Sequence, residues 1–119
     1  MDENGITVIV SEYERTLSAE NAARLAWEDA QAALAFEFMR LTQEAITSGI
    51  VDAKTVGDRD RQAALYVGSS QSVALLEEYE RNARIKLETA STFRKCYEAT
   101  FSLTKAVLYA QSGGANFNG

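Results

Sequence analysis

The chain has no proline in 119 residues. Proline is the residue that most strongly breaks a helix, so its absence permits helices of any length. From Ser11 to Ser48 there is no glycine either, and alanine, leucine, glutamate and arginine dominate, all strong helix formers. Ser11-Glu12-Tyr13-Glu14 has the spacing of a capping box, and Ser18 is a second candidate start. Gly49 is the natural stop. The spacing therefore predicts a long helix over 11–48.

Gly49, Gly57 and Gly68 punctuate the next stretch, 49–70, which reads as a turn region. Within it, Asp58 can cap a short helix from Arg59 to about Val67. Ser69, Ser70 or Ser72 can then start a second long helix over 71–111, ended by Ser112-Gly113-Gly114, with residues 112–119 expected to be disordered. At the other end, Ile6-Thr7-Val8-Ile9-Val10 is a β-branched run, which predicts an apolar arm or short strand in 1–10. Helices of about 38 and about 40 residues would each be roughly 57 to 60 Å long. Rods of that length need cover, and folding them back on each other across the turn supplies it. The expected fold is a single all-α domain: an antiparallel helical hairpin of two long helices with a short helix in the connection, packed in the manner of a coiled coil.

The helix faces argue further that the hairpin does not stand alone. On the first long helix, Trp27, Ala30, Leu34, Phe38, Leu41 and Ala45 form one apolar stripe. Leu25, Ala32, Phe36, Met39, Ile46 and Ile50 form another on nearly the opposite side. A single partner helix buries only one stripe, and leaving the other wet forfeits about 1.5 to 3 kcal/mol per large side chain. The second stripe is the expected interface with another copy or a partner. A monomeric three-helix packing with the first helix at its centre is the alternative. On the second long helix, Leu76, Ala83, Ala90 and Tyr97 repeat in sevens and alternate with Leu87, Phe101 and Leu108, flanked by Tyr79 and Phe93. Alanine at positions 83 and 90, facing the alanine-rich segment 19–35, would let the two axes approach closely. Glu80 and Arg94 interrupt the seam, and the simplest reading puts them at its edge, stems packed and charges in water.

Composition bounds the chemistry. There is no histidine, which removes the commonest acid/base group and the commonest metal ligand, and one cysteine, Cys96, which rules out an internal disulfide framework. Cys96 is expected to be a buried or half-buried thiol with no role. Glu77 and Glu80 have the E-x-x-E spacing by which all-α nucleotide pyrophosphatases hold magnesium, but no aspartate follows Asp60 to complete the downstream half of that motif. Asp58-Arg59-Asp60-Arg61-Gln62 resembles the start of a calcium loop, yet Ala63 and Ser69 stand where glycine and a chelating glutamate are needed. A metal-dependent nucleotide hydrolase is thus the weakest alternative, and the expectation is no enzyme, no metal and no cofactor.

The net charge of -5 opposes nonspecific nucleic-acid binding by the whole molecule but hides an asymmetry. Residues 1–80 hold six basic and fifteen acidic side chains, whereas residues 81–119 hold six basic and two acidic. Arg81, Arg84, Arg94 and Lys95, with Phe93 and Tyr97 nearby, make a candidate strip for single-stranded nucleic acid. Pairing with Glu20, Glu28, Asp29 and Glu37 across the hairpin is the competing use of the same charges. The acidic start Met1-Asp2-Glu3-Asn4 and the lack of any membrane-length apolar run lead to an expected cytoplasmic location.

The order of features resembles that of uncharacterised helical-hairpin proteins encoded by phages and prophages. Gly57-Asp58-Arg59-Asp60-Arg61 with Leu65 is similar to that family's turn signature, although asparagine is usual where Asp58 stands. Ala90-Ser91-Thr92-Phe93-Arg94, followed by Leu103 and Leu108, is similar to its C-terminal helix, so the likeness covers about residues 45–110. The resemblance brings no catalytic residues. It implies a small phage accessory protein in the host cytoplasm that occupies a surface on another macromolecule, assisting recombination or replication or blunting a host defence enzyme.

Overall fold

A computed structural model describes residues 3–117, with side chains described through residue 112. It contains α1, Glu3–Thr47, α2, Val56–Gly68, and α3, Gln71–Phe117. Among the described residues there is no strand.

The N-terminal run is where the local preference of the sequence is overridden. Ile6–Val10 is neither arm nor strand but lies in the first two turns of α1, and the expected capping box at Ser11 lies inside the helix. In the helix Ile6, Ile9 and Val10 are half-buried while Val8 stays exposed. The spacing Ile6, Ile9, Tyr13, Thr16, Glu20 continues the inward face of α1 in alternating steps of three and four, and all five are partly covered. Poor helix propensity costs a β-branched residue only about 0.7 kcal/mol or less, and burying an aliphatic side chain outweighs it. At the far end α3 continues through Gly113 and Gly114 to Phe117, beyond the expected end at residue 111. Glycine costs about 1 kcal/mol in a helix but does not remove the hydrogen bond. Asn118 and Gly119, in the tail expected to be disordered, lie outside the described residues, as do Met1 and Asp2.

The chain divides into two compact units, Met1–Arg24 with Lys86–Gly119, and Leu25–Ile85. In the first, Tyr13 stacks on Phe101 with ring centroids 5.1 Å apart, and Glu20 meets Arg94. A later residue of α1 thus meets an earlier one of α3, so the helices run antiparallel. In the second, Trp27 meets Glu80 and Glu37 meets Ser72, the same antiparallel order. Its core is Leu41, Val67 and Val73, one from each helix, with Leu34 and Tyr66 packed against them. Ala30 and Ala45 are fully buried and Ala83 is nearly so. The inward stripe of α1 is therefore the one that begins at Trp27.

The connection is held by its own side chains. Gly49 takes the left-handed conformation at φ 81°, its N–H directed to the Ile46 carbonyl, and the Val51 N–H reaches the Ala45 carbonyl at 3.1 Å. α2 begins earlier than expected: Thr55, not Asp58, is the N-cap, its hydroxyl accepting from the Asp58 N–H at 3.3 Å. Gln62 Oε1 accepts from the N–H groups of Asp52 and Ala53, both at 3.1 Å, while its Nε2 donates to the Asp52 carboxylate. Arg59 Nε donates to the Ala53 carbonyl. These bonds tie segment 50–55 back onto α2.

Candidate interaction surface

The outward side of α1 in the Leu25–Ile85 unit carries large apolar side chains with little cover. Phe36 and Met39 are 66% and 71% exposed, Leu25 and Ile46 are 52% and 53%, and Ala32 is also exposed. Helical geometry puts these residues roughly opposite Ala30, Leu41 and Ala45, which are buried. Ile50 departs from the expected stripe, because α1 ends at Thr47 and the Gly49 turn places Ile50 in the connection, half exposed. Among the described residues Phe36 and Met39 stay largely in water.

The seam of α3 follows the expected heptads, and the residues that interrupt it are not wet edge positions. Glu80 Oε1 accepts the Trp27 indole N–H at 2.9 Å, and the side chain is only 17% exposed. Arg94 Nε donates to both carboxylate oxygens of Glu20 at 3.2 Å, with the two side chains 22% and 17% exposed. Both polar groups therefore bond across to α1 within their own units. Hydrogen bonding from Ser91 and the Arg94 charge hold the Glu20 carboxyl below its ordinary value, against a partial loss of water that works the other way. Glu37 is likewise lowered, first by Arg40 and also by Ser72. Thr104, the next heptad position after Tyr97, is a buried polar residue that composition alone does not flag; its hydroxyl donates to the Thr100 carbonyl at 2.8 Å. The repeat of seven from Leu76 was the signal that could have found it.

The candidate nucleic-acid residues are unequal. Arg94 is engaged by Glu20 and Glu98, and Arg84 lies 4.0 Å from Glu80. Arg81 and Lys95 are exposed, Arg81 in one unit and Lys95 in the other. Phe93 is exposed but two residues from Lys95, which puts the two side chains on different sides of α3, while Tyr97 sits at the seam's margin. Cys96 is exposed, not packed, because it lies one position behind the seam residue Tyr97. Asp58-Arg59-Asp60-Arg61-Gln62 lies within α2 and is helical throughout. Among the described residues no three His, Cys, Asp or Glu side chains cluster as a metal site, and no helix is long and apolar enough to cross a membrane. No family model, curated protein or solved structure matches the chain.

Proposed function

We propose that this protein works by binding protein rather than by catalysis, as a helical adaptor or blocker that associates through the outward face of α1. The observation that carries the reading is the exposure of Leu25, Phe36, Met39 and Ile46 on a single helix face, each at least half in water. Side chains of this size each give up about 1.5 to 3 kcal/mol by remaining wet. Burying them against a second copy or a partner surface recovers that free energy, and contiguous apolar surface is the ordinary mark of such a site. A homo-oligomer is the simplest assembly that covers the face. The resemblance to phage-encoded hairpin proteins would make the further partner a host or phage macromolecule.

Sedimentation velocity at micromolar concentration tests the proposal. The wild type should associate, and Phe36→Glu with Met39→Glu should yield a monomer of unchanged helicity. A wild type that stays monomeric and retains no protein from its host's lysate through this face would refute it.

A further inference from the structure

The Leu25–Ile85 unit has a second surface on the flank of α1, adjoining the outward face at Ile46. One hollow of about 380 Å3 lies between α1 and α3, bordered by Leu34, Phe38 and Glu80. Phe38 also borders a hollow of about 340 Å3 between α1 and α2. Thr42, Asp60 and Ala63 are shared between that hollow and a third of about 390 Å3, which ends at Val51 and Val56. The shared walls make these hollows one groove along the flank of α1 from Gln31 to Ile46. At 1.5 Å per residue that is about 22 Å, the length of a four-turn helix.

Two features of the groove define what fits it. Ala35, Thr42, Ala53, Ala63, Ala64 and Gly68 are the small residues among its walls, which permits another helix axis to come close. Its charged lining is acidic on balance: Asp60, Asp52, which also accepts from Gln62, and Glu80, which also accepts from Trp27, against a single lining guanidinium, that of Arg59, which is bonded to the Ala53 carbonyl. The unit as a whole has ten acidic and six basic side chains. We infer that this groove receives a partner's amphipathic helix of about four turns, whose apolar ridge lies along Phe38 and Val56 and whose lysines or arginines meet Asp52, Asp60 and Glu80. Leu25, Phe36 and Met39 line none of these hollows, so docking here and association through those three residues can be lost separately, with Ile46 at the border of both.

The test uses the full chain and a fluorescein-labelled helical peptide of about 16 residues, built from leucine, alanine and lysine with leucines at helical spacing, beside its lysine-to-glutamate counterpart. Anisotropy should report binding of the lysine peptide and none of the glutamate peptide. Ala63→Trp, which fills the shared middle of the groove, and Asp60→Lys, an exposed change that leaves packing alone, should each weaken binding about tenfold or more. Phe36→Glu on the outward face should leave it unchanged. Equal binding of both peptides, or binding indifferent to both groove substitutions, overturns the inference. So does a self-association of the wild type that Ala63→Trp abolishes, because the groove would then belong to a second copy.

Discussion

Glu20 and Arg94 occupy seam positions at which an apolar side chain would ordinarily contribute more stability, and the same holds for Glu37 and Glu80. Each bonds from one long helix to the other, which favours a single register. An ion pair or an indole-to-carboxylate bond is satisfied at one alignment of two helices, whereas alanine and leucine tolerate a slip. Glu20 also carries a pH dependence whose sign follows from its surroundings. Its folded pKa is lowered by Ser91 and Arg94. The folded state therefore takes up a proton less readily than the unfolded chain, and the stabilisation is present in full above the ordinary value of 4.5. It is lost as pH falls through the lowered folded value. Glu20→Gln should accordingly flatten the fall in melting temperature between the ordinary value of 4.5 and the lowered folded value; an acid limb identical to the wild type's would show that the pairing contributes nothing. These polar contacts were only half legible in the sequence. Both Arg94 and its candidate partner Glu20 could be named, but the bond from Trp27 to Glu80 joins residues 53 apart and has no local signature.

At the level of the element, the connection between α1 and α3 shows how one residue type can act in opposite directions. Gly49 has φ 81° and open space where a Cβ would stand, so alanine there meets backbone strain and no clash. Gly57 lies in the first turn of α2 at ordinary φ, also with open space. Gly49→Ala should destabilise by about 1 to 2 kcal/mol, and Gly57→Ala should stabilise by about 0.4 to 1 kcal/mol by restricting the unfolded chain. Denaturant midpoints of the two variants check the pair, and shifts of the same sign would contradict the assigned conformations. Gly49 as a helix stop was legible from composition. The cap of α2 was not read, although Thr55 stands three residues before Asp58, because two plausible capping residues lay close together. The helical state of Ile6–Val10 was illegible for another reason: strand preference is local, and the face that covers these residues is not.

For the molecule as a whole, charge and apolar surface make separable predictions. Association driven by burial of the apolar side chains Leu25, Phe36 and Met39 on the outward face of α1 should persist or strengthen as salt rises. Screening shortens from about 10 Å at 0.1 M to about 3 Å at 1 M and leaves apolar burial untouched. Binding of single-stranded nucleic acid through Arg81 and Lys95 would instead fall steeply over that range. Sedimentation across a salt series separates the two, and association that collapses in salt would point to the charges. The absence of proline, the long glycine-free stretch and the heptad repeat determined by themselves that the chain is helical and which residues of α3 form its seam, since both follow from local backbone preference and period. Tertiary structure alone decided which of the acidic candidates Arg94 meets, that Trp27 bonds to Glu80, that Ile6–Val10 are helical, and that α2 leaves a groove beside α1. Period assigns residues to faces, but which face is covered depends on contacts between segments far apart in the chain.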